Sequence, residues 1–207
     1  MIWPEFFLVA SIHLLAVMSP GPDFVMISRS ALVYSRRSGL FSAAGLGLGI
    51  LVHVAYSLVG IAVLISQSII LFNAIKYIGA AYLVYIGIKS LRAKSKNAHL
   101  PARRPDRDLS ALASLRLGFF TNVFNPKATL FFLALFTQII DSTTPLWVQI
   151  IYGVEMSLAT AAWFSVVVLL LTQNHVKRGF RRIQHRAEQV FGGLLIALGV
   201  KIALSSK

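Results

Sequence analysis

The chain has 207 residues, of which 57% are hydrophobic and 13% are charged, and its mean hydropathy is +0.73. Soluble domains carry about 25% charged residues, so this composition excludes an ordinary soluble domain and indicates a membrane protein with several spans. The net charge of +13 is concentrated in three short segments between apolar stretches, which is typical of topology determinants and argues against nucleic-acid binding.

Six apolar segments are predicted to cross the membrane as helices, which makes the fold class an all-α membrane protein. They cover residues at about 6–34, 39–66, 69–90, 113–140, 146–172 and 188–205. The loops near 35–38, 91–112 and 173–187 are basic, and with six crossings they lie on one side. Because cytoplasmic loops collect Lys and Arg, both termini are predicted to lie on the opposite face, which in a bacterial cell is the periplasmic face.

The first span is interrupted by the sequence "MSPGPDF" at residues 18–24. Pro20 and Pro22 flank Gly21, and a carboxylate, Asp23, follows them. Proline removes a backbone donor and stops or kinks a helix. Within a membrane, the freed backbone groups are tolerated only where they line protein or a water-filled cavity, so we expect a polar cavity at this break.

The fourth span carries a second interruption, in "FTNVFNPKAT" at residues 120–129. Pro126 breaks the helix here, beside two amides, Asn122 and Asn125, and a cation, Lys127. Pro20 and Pro126 each lie roughly 20 Å into their spans, near the middle of a ~30 Å hydrocarbon core. If the two spans enter from opposite faces, the two breaks meet at one level.

The two halves of the chain resemble each other. "AAYLVYIGIKSL" at 80–91 aligns without gaps to "GGLLIALGVKIA" at 192–203, and the first span of each half has a proline break. Three spans in each half require the second unit to be inverted relative to the first, as in many secondary transporters. We therefore divide the chain into a three-helix repeat at 1–92, a basic loop at 93–112 and a second repeat at 113–207.

The charges at the two breaks favour a site for a zwitterion. Helix N-termini bind anions, so the half-helix after Gly21 suits a carboxylate. Asp23 suits an ammonium group or a proton, and it is also placed to pair with Lys127 in the empty state. Ionisable groups inside a membrane are costly, which favours a functional site over a kink that serves packing alone.

Proton coupling has three candidates, namely Asp23, Glu155 in the fifth span and His53 in the second. Histidine titrates near neutral pH. For His53, an ordinary interhelical hydrogen bond is an equal alternative, and helix pairing is the alternative for Glu155. His13, in the first span, is assigned to packing.

Other functions find little support among the residues. No cluster has metal-ligand spacing, the chain has no cysteine, and no catalytic triad is evident, so we expect no metal, no cofactor and no enzyme activity. Gly45 and Gly49 lie four residues apart, a spacing typical of close helix packing. Gly-rich faces such as this leave a homo-oligomer open.

Three segments together resemble the LysE/RhtB amino-acid exporters, and most of all their threonine/homoserine efflux branch. They are "MSPGPDF", "GAAYLVYIGIKSLR" and "GFFTNVFNPKATLFF". The resemblance covers essentially the whole chain and implies six helices in the bacterial inner membrane. It also implies export of amino acids driven by the proton motive force. The motif residues it marks are Pro20, Gly21, Pro22, Asp23, Asn122, Asn125, Pro126 and Lys127.

The leading hypothesis is an amino-acid exporter that works by alternating access and proton antiport, with an amino acid, protons and the lipid bilayer as its partners. The main alternative is a non-transporting membrane partner or sensor that uses the same scaffold. An intramembrane enzyme that depends on Ser19 or His53 is a third. The residues do not identify which amino acid is carried.

Overall fold

The computed structural model describes residues 2–19, 21–67, 108–141 and 143–173, with scattered positions between 77 and 92 and between 193 and 204. All regular elements in these ranges are helical, which confirms the predicted all-α class for this part of the chain. The helices are α1 (Ile2–Met18), α2 (Pro22–Arg29) with a π-helical extension (Ser30–Tyr34), α3 (Arg36–Gln67), α4 (Ala111–Val123), α5 (Pro126–Gln138) and α6 (Leu146–Leu171). The predicted third and sixth spans, most of the basic loop, the repeat segments at 80–91 and 192–203, and Pro20 lie outside the continuously described ranges.

Two single helices among the described residues are long and apolar enough to cross a membrane, in α3 over Arg36–Gly60 and in α6 over Leu146–Leu171. Two further spans result if each bent pair of helices is counted as one. In one pair α1 meets α2, and in the other α4 meets α5, each at 57°. The described part thus holds two to four spans, which agrees with a multi-pass membrane protein.

The bend between α1 and α2 follows from local chemistry. α1 ends at Met18, and Gly21 then adopts an extended backbone with φ −168° and ψ −168°. Pro22 is the first residue of α2, where its missing N–H costs nothing and its fixed φ suits a helix. Asp23 follows in the first turn of α2, close to the positive end of the helix dipole.

The bend between α4 and α5 has a different cap. α4 ends at Val123, with Phe124 as its C-cap. The extended Asn125 is the N-cap of α5, and its Oδ1 atom accepts a 3.0 Å hydrogen bond from the Lys127 backbone N–H. Pro126 again occupies the first helical position. The side chain of Asn125 therefore satisfies one of the unpaired donors of α5, whereas no side chain does this at the start of α2.

α3 and α4 pack through small residues. A Cβ atom on Gly118 would lie 2.0 Å from the carbonyl oxygen of Ser42, and one on Gly45 would lie 2.1 Å from that of Leu115. Such distances exclude a side chain at either position, so the two backbones touch. This contact confirms the packing role predicted for Gly45.

Two buried apolar clusters lie along α3 and α6. One contains Ile50 of α3 and Tyr152 of α6, together with parts of α1 and α5. The other contains Leu46 of α3 and Val167 of α6, together with parts of α2. Thr160 lies on α6 between the two clusters and is buried. The polar residues of the helix breaks thus have an apolar core on either side.

Candidate functional site at the two helix breaks

A small cavity lies where the two helix breaks meet, with a volume of about 40 Å³. Its walls come from α1, α2, α3, α4, α5 and α6. They are formed by His13, Ala16, Val17, Ser19, Gly21, Asp23, Ile50, Asn122, Asn125, Lys127, Ala128, Phe131, Phe132, Thr160 and Phe164. A water molecule needs roughly 10–15 Å³ measured in this way, so the cavity holds a few waters in this conformation.

The acidic side of the cavity pairs a carboxylate with an amide. Asn122 donates from Nδ2 to Oδ2 of Asp23 over 2.9 Å, and the Asn125 side chain lies beside the same carboxylate. The other oxygen of each group, Asp23 Oδ1 and Asn122 Oδ1, is buried and has no hydrogen-bond partner among the described residues. These two buried oxygens share one cavity and neither accepts a hydrogen bond from a described residue. They therefore indicate a binding place for a group with several donors.

Lys127 reaches across to the end of α1. Its Nζ atom donates to the carbonyl oxygens of Ser19 and Ala16, at 3.0 and 3.3 Å. These carbonyls belong to the C-terminal end of a helix, where a cation interacts favourably with the dipole. A Cβ atom on Gly21 would lie 3.4 Å from Lys127 Cδ, so the side chain runs directly over the first break. The Lys127 charge also acts on Asp23.

His53 of α3 packs against the second break and, together with Tyr56, connects its two sides. Its Nε2 atom donates to the backbone carbonyl of Asn122 over 2.9 Å, and its Nδ1 atom lies 2.6 Å from the Tyr56 hydroxyl. That hydroxyl lies 3.3 Å from the carbonyl of Thr129, one turn into α5. The His53 ring also stacks on Phe132 at 5.4 Å. His53 and Tyr56 therefore connect the last turn of α4 to the first turn of α5.

Glu155 lies apart from this group. It is half-buried on α6, its Oε2 atom is buried without a hydrogen-bond partner among the described residues, and it is absent from the cavity walls. Of the predicted site residues, the structure therefore brings together Gly21, Asp23, Asn122, Asn125 and Lys127. Pro22 and Pro126 begin the two half-helices beside them.

The sequence of this chain matches the model of one protein family, described as LysE type translocator, over residues 14–206. The chain belongs to this family. It is 30% identical to a threonine efflux protein of Salmonella typhi over 97% of this chain and 98% of that protein. It is 31% identical to a threonine efflux protein of Escherichia coli, with the same two coverages. It is also 30% identical to the membrane protein YrhP of Bacillus subtilis, over 91% of this chain and 93% of that one. No solved structure is significantly similar to the chain.

Family membership and the apolar helices identify a multi-pass bacterial membrane protein of a translocator family. This confirms the resemblance drawn from the three sequence segments. It also favours a transporter over the enzyme and supports amino-acid export.

Several residues of this translocator's cavity were missed or given another role from the sequence, among them His13, Thr160 and Phe164. His13 was assigned to packing, and Thr160 and Phe164 were not considered. The available signal was helical spacing, because His13 lies one turn before Ala16, whose carbonyl binds Lys127. For Thr160 and Phe164 the sequence holds no such signal, since α6 has no break or charge next to them.

Proposed function

We propose that this protein exports amino acids of the threonine or homoserine type from the bacterial cytoplasm across the inner membrane. The observation that carries the proposal is the cavity at the two helix breaks, with Asp23 and Lys127 beside it. The relatives named as threonine efflux proteins support the same conclusion.

The ammonium group of the substrate binds at Asp23 and Asn122. An ammonium has three donors and no acceptor, and the two unpartnered oxygens there are both acceptors. The carboxylate binds at the start of α2, whose first turn no side chain caps, whereas Asn125 already caps α5. Lys127 orients the carboxylate from the first break, where it already stabilises the end of α1.

Transport proceeds by alternating access. The cavity is too small for an amino acid in this conformation, so binding requires the half-helices to move. A larger groove of about 680 Å³ runs along α2 and α4 from Pro22 to Arg29, towards the basic face predicted to be cytoplasmic. We infer that the substrate reaches the cavity from the cytoplasm through this groove, which we call the approach groove. We also propose that the two bent pairs are equivalent spans of two inverted repeats, with both chain termini in the periplasm.

Export is coupled to proton entry. A proton and the substrate ammonium compete for Asp23, so protonation from the periplasm displaces the substrate. The outward-facing and inward-facing states bind the proton at different electrical potentials and pH values. The membrane potential and the pH gradient therefore favour one direction of the transport cycle. Glu155 and His53 are the other two candidates for the proton site. Asp23 is the one of the three that lines the cavity.

The decisive experiment is counterflow of radiolabelled amino acids in proteoliposomes, with and without a pH gradient, using a panel of substrates. Asp23→Asn keeps the shape but removes the charge, and we expect counterflow to fall below about a tenth of wild type. Asp108→Asn, which changes an exposed carboxylate outside the cavity, is the control. Undiminished transport by Asp23→Asn at equal protein levels would refute the site. A wild-type protein that moves no amino acid would favour the non-transporting sensor instead.

A further inference from the structure

A second polar group lies on the cavity wall formed by α1 and α6, on other helices than Asp23 of α2 and Asn122 of α4. His13 and Thr160 are each 1% exposed, and Nε2 of His13 lies 3.3 Å from Oγ1 of Thr160. The other ring nitrogen, His13 Nδ1, is buried and has no hydrogen-bond partner among the described residues. The same is true of Ser19 Oγ, which lines the same cavity.

Buried polar atoms of this kind are rare in folded proteins, because an unmet buried hydrogen bond destabilises the fold. Among the described residues nothing bonds to these atoms, and the cavity of about 40 Å³ leaves room for only a few waters beside them. A ligand that brings its own hydrogen-bonding group removes this cost. The cavity wall at His13 therefore suits a hydrogen-bonding group of a ligand.

The chemistry of that group follows from the imidazole. If Thr160 donates to Nε2, then Nδ1 carries the proton and donates to the ligand. If Nε2 donates to Thr160, then Nδ1 accepts from the ligand. A hydroxyl both donates and accepts, so it satisfies either tautomer, whereas an alkyl group satisfies neither.

The neighbouring rings limit the size and charge of this group. The His13 ring lies 6.2 Å from the Phe131 ring and 6.0 Å from the Phe132 ring, centre to centre, and Phe164 also lines the cavity. No carboxylate belongs to this wall among the described residues, so a basic side chain would be desolvated there without a counter-charge. The aromatic rings occupy the space beside the polar pair, which favours a small side chain over a large one.

We propose that His13 and Thr160, with Ser19, form the subsite for the substrate side chain and select small amino acids that carry a side-chain hydroxyl. This inference rests on the proposed function, since it assigns the specificity of the same cavity. Threonine and valine are the probes that isolate it, because they differ by a hydroxyl in place of a methyl group.

The test is counterflow of labelled threonine and labelled valine by the purified full-length protein in proteoliposomes. We expect wild type to prefer threonine by about tenfold or more, since valine leaves the polar pair unmet. Thr160→Val keeps the volume and removes the hydroxyl that holds the His13 ring in place, so it should reduce the preference to within about threefold. Thr160→Ser restores the hydroxyl and should restore the preference.

Thr137→Val is the matched control, because the Thr137 hydroxyl bonds to the Leu133 carbonyl of its own helix and does not line the cavity. It should leave the preference unchanged. Equal counterflow of threonine and valine by wild type, or an unchanged preference in Thr160→Val, would overturn the subsite alone. Absence of counterflow for every amino acid would overturn the proposed function, and the subsite with it.

His13→Gln provides an independent readout. Loss of the threonine preference without loss of the response to a pH gradient supports the subsite. A variant that keeps the preference but no longer responds to the gradient would assign His13 to proton coupling, and that result would overturn the proposal.

Discussion

At the scale of single residues, the two intramembrane charges are each held by groups from the opposite half of the chain. Asp23, from the first half, accepts from Asn122 in the second, and Lys127, from the second half, donates to carbonyls of α1 in the first. A charge inside a membrane is costly unless it is paired or hydrogen-bonded, so these contacts make both residues tolerable at this depth. These contacts also couple the two breaks, because a movement of either break changes the hydrogen bonds made by the charged side chain of the other.

Lys127→Met tests this coupling. The variant leaves the Ser19 and Ala16 carbonyls without their donor, and each unmet group costs about 1–3 kcal/mol. We expect the unfolding temperature in detergent to fall by at least about 2–4 °C, and counterflow to fall below about a tenth of wild type. Arg116→Met, which removes an exposed cation of α4, should change neither. A stable and fully active Lys127→Met protein would show that the contact is dispensable.

At the scale of helices, the angle of the second break depends on α3. His53 and Tyr56 connect the carbonyl of Asn122, before the break, to that of Thr129, after it. α3 can approach this closely because small residues line its contact with α4, and a Cβ atom on Gly49 would lie 2.7 Å from Asn122 Oδ1. The break is therefore a feature of three packed helices as well as of one proline.

Tyr56→Phe removes the hydroxyl that links His53 to Thr129 and keeps the ring. Since one buried hydrogen bond contributes about 1 kcal/mol, we expect the unfolding temperature to fall by about 2–4 °C. The maximal rate of counterflow should change more than the half-saturating substrate concentration, because the hydroxyl acts on the α4–α5 angle and does not line the cavity. Thr137→Val, which removes a hydroxyl that bonds within its own helix and does not line the cavity, is the control. A change confined to the half-saturating concentration would place Tyr56 in direct contact with substrate and contradict this role.

Gly118→Ala tests the contact between α3 and α4. Its Cβ atom would lie 2.0 Å from a backbone oxygen, so the helices must separate, and overpacking of this kind costs about 1–3 kcal/mol. We expect the unfolding temperature to fall by about 2–12 °C. Gly60→Ala is a matched control on α3, because a Cβ atom there meets nothing within 4 Å. Equal unfolding temperatures for the two variants would show that the contact between α3 and α4 is not tightly packed.

At the scale of the whole molecule, the distribution of charge predicts the orientation in the membrane. Loops rich in Lys and Arg stay in the cytoplasm, so we expect the start of α4 on the cytoplasmic side and the α5–α6 loop outside. The absence of cysteine from the chain makes this orientation directly measurable by labelling single introduced thiols.

Three single-cysteine variants at exposed positions test the orientation, namely Trp3→Cys, Leu112→Cys and Thr143→Cys. A membrane-impermeant thiol reagent should label Trp3→Cys and Thr143→Cys in intact spheroplasts. Leu112→Cys should react only after the membrane is made permeable. Labelling of Leu112→Cys in intact spheroplasts, with protection of the other two, would reverse the predicted orientation and the direction of the approach groove.

Much of the fold was accessible from the sequence because it depends on local chemistry. Hydropathy predicted the positions of the two single spanning helices, α3 and α6, and of the two bent pairs, α1–α2 and α4–α5. Proline marked where α2 and α5 begin, since its geometry suits the first residue of a helix whatever lies around it. The family motifs likewise marked Asp23, Asn122, Asn125 and Lys127 as members of one site.

Only the tertiary structure decided which of these groups meet. Asn122, rather than Lys127, holds Asp23 through a described hydrogen bond, and Lys127 stabilises the end of α1. His13 and Thr160 share a cavity wall, although they are distant in the chain. Such contacts depend on how each helix is rotated and how closely its neighbours approach. Helix rotation and helix separation are determined by packing between all the helices, for example at the α3–α4 contact that contains Gly45 and Gly118. No single stretch of sequence contains this information.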